Sequence, residues 1–313
     1  MKHYAFKGIL QNEGWLENMA VTIDRDGIIV DIEQVNANEV IAGYALPGFQ
    51  NAHSHAFQYA MAGLAEKHDA DATNGDFWSW REAMYRLALN ISPDQLENIA
   101  AMLYAEMVRH GYTSVAEFHY VHHDKNGKPY DNLAEMGSRL VAAAETAGIN
   151  ITLVPIFYQK GGFGVAPNER QKRFISSSVD DYMKLLDASQ SVCKYYKGAN
   201  IAIGIHSMRG VEPKHISEIA QFGPQNLPFH IHISEQLKEI EDSIEYLGKR
   251  PVEWLAENVA LSERFHLVHA THLTKNETAS IAHSGANVVL CPTTEGNLGD
   301  GIFPTTEFLA ENG

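Results

Sequence analysis

From about residue 47 onward this chain alternates strand-like and helix-like segments, and that alternation restricts its fold more than any other feature. Seven segments read as buried strands: "ALPGFQNAHSH", "TSVAEFHYV", "NITLVPIFYQ", "ANIAIGIHSM", "LPFHIHIS", "FHLVHATHL" and "ANVVLCPTT". Each is a short run rich in apolar, β-branched or aromatic residues, bounded by turn formers. Helix patterns with recognisable ends lie between them. "SPDQLENIAAMLYAEMVRHG" offers Ser92 as N-cap, Pro93 at the first helical position and Gly111 as the stop, and "DNLAEMGSRLVAAAETAG" stops in the same way at Gly148. Repeated strand-helix units imply a parallel sheet with helices outside it. Seven strands are one short of the eight that close a (β/α)8 barrel of about 250 residues. The segment "TTEFLAENG" reads as a helix, after which an eighth strand would come. The expectation is an α/β fold, a (β/α)8 TIM-type barrel over residues 47–313 that lacks its eighth strand because the chain is truncated. A doubly wound open sheet is the rival.

Residues 1–46 differ in character. Short segments rich in Val, Ile and Tyr are broken by turn residues, and Asp26-Gly27 in "AVTIDRDGIIVDIEQV" is a two-residue hairpin signal, so this part reads as a small β-sandwich-like domain. With 313 residues and 45% hydrophobic content the chain buries a large core. A net charge of −15 with 24 Lys and Arg argues against nucleic acid or an anionic membrane surface as the main partner, because both are held by basic patches. No apolar stretch approaches the roughly 18 to 20 residues of a membrane span, and the N-terminus lacks a signal-peptide apolar core. The default expectation is a cytoplasmic protein. Cys193 and Cys291 make no disulfide framework and read as buried small apolar residues.

In a barrel of this kind the C-terminal strand ends face the active site. Five of the seven carry histidine: His53 and His55 on the first, His119 on the second beside Tyr120, His206 on the fourth with Arg209 just beyond, His232 on the fifth with Glu235 after it, and His269 on the sixth. Alternate residues of a strand share a face, so the His53 and His55 imidazoles can point at one ion. Zinc takes such nitrogens at about 2.0–2.1 Å and in catalytic sites leaves a position open. An isolated His-x-His is weak evidence, since strand-end histidines often bond backbone carbonyls. Convergence of three or more with a nearby glutamate makes a metal centre the better reading.

The motifs "LPGFQNAHSH", "HIHISEQ", "LVHATHL" and "CPTTEGNLGDG" resemble the metal-dependent amidohydrolase superfamily, in its deaminase branch, which hydrolyses C–N bonds to release ammonia. "HAFQYAMAGL", "FWSWREAMYRL", "VAEFHYVHH" and "GIHSMRGV" resemble, within that branch, members acting on N-formimino-L-glutamate in histidine degradation. The resemblance covers the whole chain. It implies that His53, His55 and His232 bind one Zn2+ per subunit, that Glu235 is the general acid/base and that His269 orients the attacking water. It also implies a further aspartate ligand at the end of strand 8, beyond Gly313; Asp300 in "NLGDG" belongs to the loop after strand 7 and is not taken as that ligand. His230 reads as packing below His232, and His68, His110, His122, His123, His215, His266, His272 and His283 as surface or structural residues. The products implied are N-formyl-L-glutamate and ammonia.

A substrate with two carboxylates asks for arginines, whose planar guanidinium makes bidentate, charge-assisted bonds. Arg81 and Arg209 are the candidates, Arg81 with a helix-surface reading beside it, and by resemblance Gln58, Tyr120 and His206 complete the substrate set. Trp78 and Trp80 read as packing for a lid or loop. The expected partners are a small anionic substrate and a second copy of the chain, as a homodimer, with no nucleic acid and no membrane. Two alternatives stand. A purine- or triazine-type deaminase or chlorohydrolase of the same superfamily would share the metal site and favour aromatics and amides over paired arginines. A non-enzymatic truncated barrel follows if the chain ends at Gly313.

Overall fold

The computed structural model describes residues 1–40, 42–64 and 76–313, leaving aside the side chains of residues 42, 76–79 and 81. It divides into two compact units, Met1–Phe49 and Gln50–Gly313. In the first, β1 (Lys2–Gln11) and β2 (Gly14–Ile23) form an antiparallel hairpin, β3 (Ile29–Gln34) lies beside β2, and β4 (Ala42–Ala45) runs parallel to β1 on the other side. The strand order is β3-β2-β1-β4. The expected hairpin position is corrected here. The two-residue turn is Asn12-Glu13, where Gln11 faces Gly14; Asp26-Gly27 lies inside the longer turn 24–28, whose Asp24 carboxylate accepts from the N–H groups of Asp26 and Ile28 at 2.9 Å each. The expected small β-domain appears among the described residues as one four-stranded sheet.

The second unit is built on β5 (Phe49–Ser54), β6 (Tyr112–His119), β7 (Asn150–Phe157), β8 (Ala199–Ile201), β9 (Ile203–Ser207), β10 (Phe229–Ile233), β11 (Phe265–His269) and β12 (Asn287–Val289). The order is β12-β11-β10-β9-β7-β6-β5, with the short β8 also beside β7. Spatial order follows sequence order without a reversal, so the parallel sheet curls one way into a nearly closed barrel. A doubly wound sheet would reverse at a switch point. Helices intervene: α1 (Asp76–Asn90), α2 (Pro93–Arg109), α3 (Glu135–Ala147), α4 (Val179–Cys193), α5 (Pro213–Phe222), α6 (Leu237–Leu247), α7 (Pro251–Asn258), α8 (Lys275–Ser284), α9 (Pro292–Leu298) and α10 (Thr305–Ala310).

Local chemistry accounts for the helix ends. Ser92 caps α2 reciprocally with Gln95: the Ser92 hydroxyl accepts from the Gln95 N–H and the Gln95 side chain accepts from the Ser92 N–H. Leu96, Ala100 and Tyr104, four residues apart, form its buried stripe. Gly111 and Gly148 stop α2 and α3 at φ +88° and +76°, where a side chain would be strained. Two strand readings shorten. The fourth is split at Ala202 into β8 and β9, and the seventh ends at Val289 because Pro292 opens α9, so "CPTT" is the start of a helix.

Candidate metal centre and active site

β5 supplies His53, His55 follows one residue past its end, and β10 supplies His232. Their Nε2 atoms converge, His53 Nε2 lying 3.0 Å from His55 Nε2 and 3.1 Å from His232 Nε2. The opposite ring nitrogens fix the tautomers. His55 Nδ1 is 2.8 Å from the Phe118 carbonyl, and His232 Nδ1 is 2.8 Å from the His206 carbonyl. A carbonyl only accepts, so both Nδ1 atoms donate and both Nε2 atoms present lone pairs. Burial, then repulsion from neighbouring rings, holds the pKa of His53 and of His232 well below the usual imidazole value. Burial lowers His55 to about 4 against the opposing pull of the Phe118 carbonyl. The rings are therefore neutral near pH 7, and His53 has at most one Nε2 proton to share between two lone pairs. A cation removes that conflict. Tetrahedral zinc with nitrogens at 2.0–2.1 Å separates its ligand atoms by about 3.3 Å, close to the spacing here. The donor set fits such an ion.

Beside it the backbone is strained. Ser234, His269 and Ala270 have φ of +52°, +71° and +49°, a region that residues with a side chain enter rarely and mostly at functional positions. The Ala270 N–H donates to the Ile233 carbonyl at 3.0 Å and also lies 3.1 Å from that of Val268, turning the chain sharply at His269. The His269 ring stacks on His232, centroids 5.4 Å apart and 13° from parallel. Its Nδ1 is 3.2 Å from Glu295 Oε1 and its Nε2 is 3.7 Å from Glu235 Oε1. Burial alone would lower the His269 pKa, but hydrogen bonds to Cys291 and Glu295 and the charge of Glu235 outweigh it and bring the value to about 10. The second Glu235 oxygen lies 3.8 Å from Arg209 Nη2. The Glu235 N–H is held by Glu239 Oε2 at 3.1 Å, and Gln236 bonds Asp300.

A cavity of about 840 Å³, measured to its open mouth, opens over this cluster. His53, His55, His232, Glu235, His269, Gln58, Tyr120, His206 and Arg209 all face it. Gln58 donates to the Tyr120 hydroxyl at 3.0 Å, and His206 packs on Tyr158 with centroids 4.1 Å apart. Arg81 belongs to α1, but its side chain, that of Trp78 and all of His68 lie outside the described residues, whereas Trp80 faces the cavity. His119 is a correction. On β6 Phe118 and Tyr120 point to the site, so the alternation turns His119 to the helix layer, where it is buried with its ring centroid 4.8 Å from that of His122. Cys193 is buried as expected, but Cys291 is half-buried and lines the cavity. Asp300 does sit in the loop after β12 and α9, yet it is buried, and burial followed by the charge of Glu235 raises its pKa to about 6.

Of the other described histidines, His110 and His283 are exposed, and several of the rest are used in packing. His230 stacks on His266, centroids 4.4 Å apart and 14° from parallel, and His122 and His123 bond the carbonyls of Ile156 and Ile175. Sequence reasoning missed Tyr85, Tyr158 and Phe174 on the cavity wall, and Glu295 behind His269. The aromatics come from a helix flank and from irregular chain, where no periodic pattern marks an inward position. The Pro292 that begins α9 is the one signal that would have found Glu295, one turn on.

The nearly closed parallel barrel thus brings three converging imidazoles, a carboxylate and a fourth histidine together at its strand ends. Consistent with this, the amidohydrolase family profile matches residues 44–313, and the chain belongs to the amidohydrolase family. It is 48% identical over 305 residues to formimidoylglutamate deiminase of Pseudomonas aeruginosa, covering 96% of this chain and 66% of that protein, so it spans slightly less than two thirds of that relative's length. The crystal structure of an amidohydrolase from Brucella melitensis superposes on all of this chain with a TM-score of 0.94 and 44% identity, over 70% of its own length. The atrazine chlorohydrolase of Arthrobacter aurescens TC1, solved with zinc, shares the fold at a TM-score of 0.80 and 20% identity, with 99% of this chain and 70% of that one covered.

Proposed function

We propose that this barrel belongs to a zinc-dependent hydrolase that converts N-formimino-L-glutamate and water to N-formyl-L-glutamate and ammonia, with one zinc per subunit. The observation that carries the reading is the meeting of three neutral imidazoles, two of them in fixed tautomers, beside Glu235 and His269. The 48% identity to a formimidoylglutamate deiminase supports the substrate. His53, His55 and His232 would hold the ion, which when bound makes water nucleophilic near neutral pH and polarises the group under attack.

The chain's own residues do the rest. Water adds to the formimino carbon, and Glu235 takes a proton from that water and delivers one to the nitrogen, because ammonia leaves only once its nitrogen is protonated. The imidazolium of His269, held on Glu295, hydrogen-bonds and orients the attacking oxygen. Arg209 sits on the far side of Glu235, half-buried and lining the cavity, available to a substrate carboxylate. Gln58, Tyr120 and His206 line the wall between them. A second reading is favoured by a separate observation: Trp80, Tyr85, Tyr120, Tyr158 and Phe174 make the wall aromatic, which suits a flat heterocycle.

Ammonia release decides between the readings. The full-length protein should deaminate N-formimino-L-glutamate far better than an analogue lacking one carboxylate, and Arg209→Met should shrink that preference by about 2–5 kcal/mol, the usual effect of truncating one partner of a buried charge pair. Release of ammonia from guanine or adenosine but not from formimino-glutamate, untouched by Arg209→Met, establishes the heterocycle reading instead.

A further inference from the structure

We propose that Glu117 is a positioning residue for the metal centre: it clamps the backbone that carries His53 and His55 so that their Nε2 atoms meet before any metal arrives. The inference rests on the metal reading above and deepens it. Glu117 lies on β6, one residue before Phe118, and is 1% exposed. Its Oε1 accepts the Ala56 N–H at 2.6 Å, immediately after His55, and its carboxylate also accepts from the Ser54 side chain, between the two histidines. Oε2 accepts the Tyr104 hydroxyl at 3.0 Å, and Tyr104 is fully buried on α2. The carboxylate therefore ties three elements together: the His-x-His segment, β6 and α2.

Phe118 grips the same segment from the cavity side. Its carbonyl accepts from His55 Nδ1 at 2.8 Å, and its ring lies 5.0 Å from that of His53, 5.3 Å from that of His55 and 4.2 Å from that of His232. Successive residues of a strand face opposite sides, so one dipeptide holds the ligands from both. Phe118 sets ring orientation, and Glu117 sets where the backbone stands. A buried carboxylate left without such donors would be strongly unfavourable, so its presence here is explained by the three it satisfies.

The test is zinc binding, read by competition with a chromophoric chelator on the full-length protein, with the thermal midpoint of the metal-free form as a check on folding. Glu117→Leu keeps the volume, removes every acceptor and should weaken zinc binding 10–100-fold, the usual effect of losing an outer partner of metal ligands. Glu117→Gln keeps an acceptor for Ala56 and should restore affinity to within a few-fold. If Glu117→Leu does not fold, Tyr104→Phe, which removes one hydroxyl, should still weaken zinc binding several-fold. Wild-type affinity in folded Glu117→Leu, or in Tyr104→Phe when only that variant folds, overturns the role of Glu117. Wild-type protein that binds no zinc lost in His232→Ala overturns the metal reading itself, a different result.

Discussion

Glu235 stands between two partners that define its task. One oxygen is 3.7 Å from His269 and the other 3.8 Å from Arg209, so the carboxylate is held between an imidazole ring and a guanidinium. Glu235→Gln preserves this shape and removes the transferable proton. Turnover should drop by the 10²–10⁴-fold of a lost acid/base group while zinc content, measured by elemental analysis, is unchanged; near-normal turnover would shift the proton transfer to another group, with His269 first in line. Single residues were legible in the sequence where the strand period of two decides their direction, as for His53 and His55. The same rule misread His119, because knowing that a strand end carries histidine does not say which parity faces in. Cys291, Glu117 and Glu295 were illegible for a different reason. Their meaning lies in what they touch 22 to 61 residues away in sequence, in His269 and Ala56, and no local pattern encodes that contact.

Elements whose ends are set by local chemistry were the readable ones. The Ser92-Pro93 start and Gly111 stop of α2 lie within a few residues of the bonds they make, so sequence alone places that helix. Strand lengths depend instead on neighbours, which is why the fourth strand is broken at Ala202 and the seventh is only three residues long. Gly204 on β9 shows the neighbour's hand. A Cβ there would come 2.2 Å from Ile156 Cδ1, 2.8 Å from Val154 Cγ1 and 3.0 Å from the Pro155 carbonyl oxygen, all on β7. The oxygen is backbone and moves only with its strand. Gly204→Ala should therefore cost about 1–3 kcal/mol by overpacking, read as a lower urea midpoint at unchanged slope. His206 is two residues on and on the same strand, so catalytic efficiency should fall as well. A variant as stable and active as the parent would mean that β7 and β9 are not in contact as described.

At the scale of the molecule the architecture follows from the order of parts. Strand-helix alternation predicts a parallel barrel, and strand neighbours in unbroken sequence order deliver one; the sheet of the first unit was less legible because antiparallel pairing is set by turns the sequence signals only weakly. The barrel also carries an electrostatic consequence that reaches beyond the site. His119, His122 and His230 are buried, and burial, their leading cause, lowers His122 well below the usual imidazole range and His119 and His230 to about 3. In the unfolded chain they titrate near 6.5. A depressed folded pKa gives stability that is complete above the unfolded value and is lost as pH falls toward the folded one, since the unfolded state then binds more protons. The window is thus from about 6.5 down to about 3. Glu117 opposes this: burial raises it to about 7 from an ordinary 4.5, so its contribution improves as pH falls through that range. His269, raised to about 10, adds its dependence above 6.5 and leaves the acid window alone. Asp300, raised to about 6, and Glu239, also raised by burial, oppose the loss too, whereas His53, His55 and His232, all lowered, add to it once the protein is treated with chelator. The buried histidines outnumber the raised carboxylates and leave a net loss, each histidine adding at most about 1.4 kcal/mol per pH unit. Urea midpoints of chelator-treated protein should therefore decline between about pH 6.5 and pH 5. His230→Phe, which keeps a ring against His266 and removes one titrating group, should make that decline shallower; a flat profile in the parent protein would mean that these histidines are reached by water and not buried.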